Sequence, residues 1–336
     1  MNERAPREEL PARVRISVGS AAVLGLVRSR MDALPTTVYM LTYRRGKCRA
    51  SCAFCPQSKT SSGRADMLSR VVWPEFPTEA VTERIAMTYA NGSIQRACIQ
   101  ALNYPNVQMD LVNIAKTIRA KCGIPISVSC QPLSRKDLQA LVEAGINRVG
   151  IALDAATEEL FDRMKGASAG GPYRWGSHVA ALKEAVQVFG RNNVSTHLIV
   201  GLGEDEEDFA KLTQECVDMG IYPAVFAFTP IQGTVMGHRS PPPIESYRRL
   251  QLAQYLITQG LSSYGKMGFR KGRLTDFGLQ KASLRGIVRS GEPFRTSGCT
   301  GCNRPYYNER PGGVIYNYPR KLTEDEVAAV EKVLCP

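Results

Sequence analysis

The sequence predicts an α/β fold: a barrel, partial or full, of six to eight parallel βα units, with a helical N-terminal extension and a cysteine-containing C-terminal tail. Three observations carry this. Short runs rich in β-branched residues alternate with amphipathic helical patterns along most of the chain. The 336 residues suffice for one large barrel or two ordinary domains. A hydrophobic content of 43% supports a well-filled core. Strands separated by helical crossovers run parallel, and such barrels gather their chemistry at the strands' C-terminal ends.

The first 33 residues are basic and read as helical. Within them Ile16–Val27 is mildly apolar, broken by glycine and serine and flanked by arginine. It lacks the long apolar core and cleavage site of a signal peptide, so it reads as an amphipathic helix. Strands follow near Thr37–Tyr43, Arg96–Ala101, Pro125–Cys130, Arg148–Asp154, Val194–Gly201 and Ala224–Phe228. Helical patterns lie near Glu79–Tyr89, Met109–Lys121, Ser134–Ala144, Glu158–Met164, Trp175–Phe189, Glu206–Met219 and Ile244–Gln259. Ser240-Pro241-Pro242-Pro243 is a stiff connector before the last of these. Strand signals after Phe228 are faint, and Tyr264–Phe269 offers a seventh. From about Lys266 the chain turns rich in Gly, Pro, Arg and Tyr, which divides it into an extension (1–33), a barrel (34–265) and a tail (266–336). No fixed-period repeat or long low-complexity tract interrupts this order.

Composition narrows the function classes. No apolar run approaches the roughly 18 residues of a membrane span, so no membrane partner is expected. Ten cysteines in a large chain without a secretory signal argue for a reducing cytoplasm and metal binding rather than disulfides. The net charge of +12 suits an acidic protein partner, a negatively charged cofactor or nucleic acid. No arginine-rich block or nucleic-acid motif accompanies it, so RNA is not the expected partner.

Cys48, Cys52 and Cys55 form C-x3-C-x2-C in the loop after the first barrel strand. Thiolates are soft ligands for iron–sulfur clusters and zinc. Three on one short loop, with no fourth nearby, can hold three irons of a four-iron cluster and leave one iron open. Zinc ribbons instead show two C-x2-C pairs and close all four positions. A zinc loop or three unrelated buried thiols are the competing readings. With Phe54 just before the last cysteine, the loop resembles that of the radical S-adenosylmethionine (SAM) enzymes, whose fold is a TIM-like barrel. That resemblance implies a [4Fe-4S] cluster whose open iron chelates SAM. It also implies reductive cleavage of SAM to a radical that abstracts hydrogen, an electron donor such as ferredoxin or flavodoxin, and Phe54 shielding the cluster edge.

From about Thr37 to Gly260 the chain is similar to the biotin-synthase-like branch. Cys55-Pro56-Gln57-Ser58, the Cys98–Pro105 segment CIQALNYP, Leu153-Asp154, the Ile199–Glu204 segment IVGLGE and the Phe228–Thr234 segment FTPIQGT carry the likeness. The resemblance implies that Asp154 accepts hydrogen bonds from a ribose diol; a helix N-cap is the alternative. Ile199 becomes an apolar wall and Gly201 permits close approach of adenine. Glu204 orients the neighbouring loop or caps a helix, and the backbone around Phe228 meets the adenine edge. His197 stands where the branch usually has glycine, so it either contacts SAM or substrate or is simply packed. Ala152 replaces an asparagine, and no Gly-Gly-Glu follows the second strand.

A second constellation lies in the tail, in the Ser297–Cys302 segment SGCTGC. C-x2-C in a tight turn is a common half-site for a metal, read as a zinc knot, half a cluster or a redox pair, the last disfavoured because no thioredoxin-like context precedes it. Cys98 and Cys130, on the second and third strands, resemble two ligands of biotin synthase's sulfur-donating cluster, and both are expected to face the barrel mouth; Ser195 sits near the place of the third. Cys299 and Cys302 folding over the barrel to join Cys98 or Cys130 would hold a second, auxiliary iron–sulfur cluster, with Ser297 as an oxygen ligand. Cys98 and Cys130 as merely buried thiols is the alternative. Cys122, Cys216 and Cys335 read as structural. The motif Ser297–Gly313 on this barrel resembles the two-component lipoyl synthases of the archaeal type. That implies a sulfurtransferase acting on an octanoylated lipoyl carrier protein together with a paralogous radical SAM subunit. A biotin-synthase-like or RNA-thiolating enzyme, or a non-catalytic cluster scaffold, are the other readings.

Overall fold

In chain order, the computed structural model has strands β1 (Arg13–Ile16), β2 (Thr37–Thr42), β3 (Met67–Leu68), β4 (Val71–Val72), β5 (Glu75–Pro77), β6 (Arg96–Gln100), β7 (Ile126–Cys130), β8 (Ile146–Ile151), β9 (Val194–Val200), β10 (Ile221–Ala227), β11 (Gly268–Arg270) and β12 (Arg273–Asp276). It describes residues 9–309 and 312–334, so Cys335 lies outside the described residues.

One eight-stranded sheet runs β10-β9-β8-β7-β6-β2-β1-β5. The six strands from β2 to β10 pair in parallel. Each is followed by at least one helix before the next, as right-handed crossovers require. The predicted strands and helices all form, with ends shifted by a few residues. The apolar stripes of the helices, such as Leu111, Ile114, Ala115 and Ile118 of the Val107–Lys121 helix, are fully buried against the sheet.

Two expectations are corrected. The N-terminal segment is not a continuous helix: β1 adds antiparallel to β2, and only Val18–Val23 is helical, its Ser17 side chain accepting from Ser20 N–H. Val14 and Ile16 alternate inward with no exposure, which a strand achieves and a helix over the same four residues would not. Tyr264–Phe269 adds no seventh barrel strand. Tyr264–Lys266 is a 3-10 turn, and β11 pairs only with β12, outside the main sheet. The barrel therefore stops at six parallel strands, and β10 is an edge.

The tail covers that edge. Val225 N–H of β10 donates to Ser297 Oγ at 2.8 Å, and Asn308 Nδ2 donates to Ala227 C=O at 2.8 Å. On the far side Asn303 Oδ1 accepts from Thr36 N–H at 3.0 Å, and Arg70 donates to Tyr306 C=O. The tail thus bridges from β10 to the start of β2, satisfying edge groups that would otherwise stand open. It is anchored behind by Arg248 of the Ile244–Thr258 helix, 3% exposed, which donates to the carbonyls of Ile315 and Tyr316.

Candidate active site

The first cysteine loop leaves β2 at its C-terminal end and is held by backbone contacts at every side. Cys48 N–H donates to Gln57 C=O at 2.9 Å, Arg49 N–H to Asn103 C=O at 2.9 Å and Ala53 N–H to Met164 C=O at 2.8 Å. Lys47 Nζ donates to the carbonyls of Pro56, Ser61 and Gly63, closing the return loop. Asn103 N–H and Ala50 N–H point at Cys48 Sγ, at 3.2 and 3.5 Å, the arrangement that stabilises a thiolate. Burial raises the Cys52 thiol to about 12, against the lowering influence of Lys165, and also raises Cys55. A metal must therefore displace these protons as it binds. Among the described residues no three Cys, His, Asp or Glu converge as they would on a single ion. Three thiols on one loop are soft donors of the kind that hold an iron–sulfur cluster.

A cavity of about 260 Å³ opens beside this loop and runs down the barrel interior. Phe54, Cys55, Asp154, His197, Ile199 and Phe228 all line it. Cys48 and Cys52 do not line it. Asp154 follows β8 with φ +67°, bridged to Leu198 of β9, and its Oδ2 accepts from Lys165 Nζ at 2.7 Å. It does not cap the next helix, since Thr157 does. His197 packs its ring 4.7 Å from that of Phe226, and burial lowers its pKa to about 4, so it is neutral at pH 7.

Gly201 and Glu204 lie outside the lining. Glu204 takes the N–H groups of Gly201, Leu202 and Gly203 on its two carboxylate oxygens and so shapes the turn. Gly201 has φ +103°, and a Cβ there would meet Pro242 at 3.0 Å and Phe228 at 3.2 Å. Its role is to let the Phe228 wall close.

Deeper in the barrel, Tyr39, Cys98, Ser127 and Arg148 are register partners across β2, β6, β7 and β8 and line one layer of the cavity. Cys299, Cys302 and Arg304 of the tail line the same region. Tyr39 Oη lies 3.1 Å from Cys302 Sγ and accepts from Arg304 N–H at 3.0 Å. Gln100 Nε2 donates to Cys98 Sγ at 3.0 Å. Burial raises the Cys98 thiol to about 12, and the neighbouring Cys299 raises it further.

Three of the four auxiliary cysteines are thus brought together, but not where expected. The tail reaches them through the open side and the N-terminal end of the barrel, not over its mouth. Cys130 is not among them. Three residues beyond inward-facing Ser127, it lies on the other face of the pleat and belongs to the main core, 7% exposed. Ser297 spends its hydroxyl on the β10 edge rather than in the cavity. Sequence reasoning missed Tyr39, Gln100, Arg148, Lys165 and Arg304. Strand alternation from Cys98 marks Gln100 as inward; Tyr39, Arg148 and Arg304 depend on pairing across strands or on the path of the tail, and Lys165 on how its helix folds back on Asp154.

Comparisons with known proteins bear on the family and the fold. A family model described as the radical SAM superfamily matches residues 45–216. A biotin synthase of Synechococcus elongatus is 25% identical over 227 residues, covering 65% of this chain and 66% of that protein, just short of two thirds of its length. A biotin synthase of Salinispora arenicola is 24% identical over 252 residues, covering 74% and 71%. The crystal structure of methylornithine synthase shares the fold, with a TM-score of 0.52 at 14% identity, covering 71% of this chain and 66% of that one. No helix among the described residues is long and apolar enough to cross a membrane. The family model spans just over half of its length, so this chain belongs to the radical SAM superfamily.

Proposed function

We propose that this chain inserts sulfur into an unactivated C–H position of a protein-bound octanoyl group, as a lipoyl-synthase subunit working with a paralogous partner. The observation that carries the reading is one continuous cavity with cysteines at both ends. Cys55, Asp154, Ile199 and Phe228 stand at the mouth, and Cys98, Cys299 and Cys302 stand inside. Asp154 bridges to Leu198 of β9, four residues beyond Val194, which pairs with Val149 beside Arg148, a span of roughly 13 Å at about 3.3 Å per residue. A short acyl chain fits between the two ends, where Ile199, Ala224, Phe226 and Phe228 supply apolar wall.

When bound, a four-iron cluster with SAM supplies a hydrogen-abstracting radical, and a second cluster supplies sulfur. Cys48, Cys52 and Cys55 would hold the first, with Asn103 and Ala50 N–H groups orienting Cys48. Asp154 offers a carboxylate oxygen to a ribose, and Ile199 and Phe228 form flat apolar walls for a base. Cys98, Cys299 and Cys302 would hold the second, steadied by Gln100 and Tyr39. Phe54 and the half-buried tail line the space between, where shielding from water would protect a reactive intermediate.

A second reading draws on Arg148 and Arg304. Both face the cavity, and neither forms an ion pair with a carboxylate among the described residues. They would suit a small free carboxylate, as in a sulfur-free precursor of biotin. Anaerobic incubation of the reconstituted, reduced protein separates the readings. Octanoylated carrier peptide is supplied with and without the partner subunit, the biotin precursor is supplied in parallel, and products are read by mass spectrometry. Sulfur addition to the peptide supports the lipoyl reading. Sulfur only in the small molecule transfers the assignment, and no sulfur-bearing product in any arm rejects both.

A further inference from the structure

Lys165 ends the Glu158–Lys165 helix and is 4% exposed. Its ammonium donates to Asp154 Oδ2 at 2.7 Å and to Ala152 C=O at 2.8 Å. It lies 5.1 Å from the centre of the Tyr173 ring and 5.5 Å from that of Phe161, both faces favourable to a cation. The segment that carries it is docked on the first cysteine loop. Ala53 N–H donates to Met164 C=O at 2.8 Å and Ser51 Oγ to Gly170 C=O at 3.0 Å, so both neighbours of Cys52 are tied to it. Tyr173 Oη accepts from Asn103 Nδ2 at 3.0 Å, and Asn103 N–H in turn points at Cys48 Sγ. A buried lysine is costly unless something in its surroundings uses the charge. Asp154 is one such group. The first cysteine loop is the other: Met164, next to Lys165 in the chain, bonds the residue that follows Cys52.

We propose that Lys165 is a positioning residue that sets the charge balance of the first cluster site: its fixed ammonium favours the electron-rich, reduced state of a cluster on Cys48, Cys52 and Cys55, and it pins one Asp154 oxygen so that the other is presented to the SAM ribose. The physical basis is that reduction adds one negative charge inside a water-poor pocket, where a nearby fixed cation is weakly screened. The inference rests on the assignment of the first cluster to this loop and is independent of the substrate.

The test uses the full-length protein, reconstituted anaerobically, with the midpoint potential of the four-iron centre followed by electron paramagnetic resonance without SAM. Lys165→Met is expected to retain the first-cluster iron and to move the midpoint to lower potential. Lys165→Arg is expected to return it most of the way, and both effects fall outside what a merely structural residue produces. If Lys165→Met loads no iron, Lys165→Gln, which keeps a donor for Asp154 and lacks the charge, carries the same expectation. SAM affinity, by equilibrium binding, should fall at least tenfold in Asp154→Asn and less in Lys165→Arg. A neutral variant with a full iron complement and an unmoved midpoint overturns the proposal. A wild-type protein with no reduced four-iron signal removes the cluster assignment itself, and the proposal with it.

Discussion

Replacing Arg248 by Met should release the tail while leaving the barrel folded. Its guanidinium donates to Gln251 Oε1, Tyr316 C=O and Ile315 C=O, each at 2.6 Å, and lies 5.0 Å from the Tyr318 ring centre. Methionine can fill most of the volume but donates nothing. Tyr316 C=O keeps a partner, because Gln251 Nε2 also reaches it at 3.0 Å. Ile315 C=O and Gln251 Oε1 lose theirs, at roughly 1–3 kcal/mol for each orphaned acceptor. Relief from burying an unpaired guanidinium offsets part of this, so the net loss is about 2–3 kcal/mol. At tenfold per 1.4 kcal/mol, local opening of the tail rises by roughly 30- to 140-fold. Hydrogen exchange reads this at Thr296, Asn317 and Tyr318, whose N–H groups bond to Tyr318 C=O, Glu309 Oε1 and Phe294 C=O. Their exchange should accelerate by that factor while β6 to β9 stay protected, and iron on Cys299 and Cys302 should be lost before iron on the first loop. Unchanged exchange in the tail, or equal acceleration throughout the sheet, would refute the idea of a local anchor.

Other expectations follow from single features. The Cys299→Ala/Cys302→Ala double variant should lose second-cluster iron and keep the first, and Cys98→Ala should weaken it likewise. Cys130→Ala should leave iron unchanged, because Cys130 packs in the core; equal iron loss from the two single variants would place Cys130 in the site after all. Gly201→Ala combines positive-φ strain with a Cβ at 3.0 Å from Pro242, a cost of about 2–4 kcal/mol. It should weaken SAM binding at least tenfold by displacing Phe228, as equilibrium dialysis can show. Burial holds His178 and His197 near a pKa of about 4, below their ordinary 6.5. The unfolded chain therefore binds protons that the folded one refuses. Stability should be full above about pH 6.5 and fall as the pH drops toward 4, by at most about 3 kcal/mol per histidine. Urea midpoints at pH 7.5 and 5.0 test the sign, and His178→Phe should reduce the difference.

Much of the site was legible because it follows local rules. The spacing of Cys48, Cys52 and Cys55 is a property of one loop, and strand alternation with helical periodicity marks where that loop must sit. Phe54, Asp154, Ile199 and Phe228 end strands or adjoin the loop, so their approach to the cavity follows from parallel order alone. Glu204 was readable as a loop-shaping group because its partners lie within three residues. Cys130 shows the limit. Its position on a strand was right, but which face it takes depends on a one-residue phase that propensity does not set.

The amino-acid sequence by itself determined the cluster loop, the six βα units and the tail's cysteine pair, since each depends on residues close along the chain. Tertiary structure alone decided that the barrel stays open at β10, and that the tail fills the opening and brings Cys299 and Cys302 beside Cys98. It also decided that Lys165 binds Asp154 behind the first loop. Those contacts join residues from 11 to more than 200 positions apart, or hang on the register of a sheet. They exist only once hydrophobic burial has fixed which strand ends unpaired and which backbone groups still need partners.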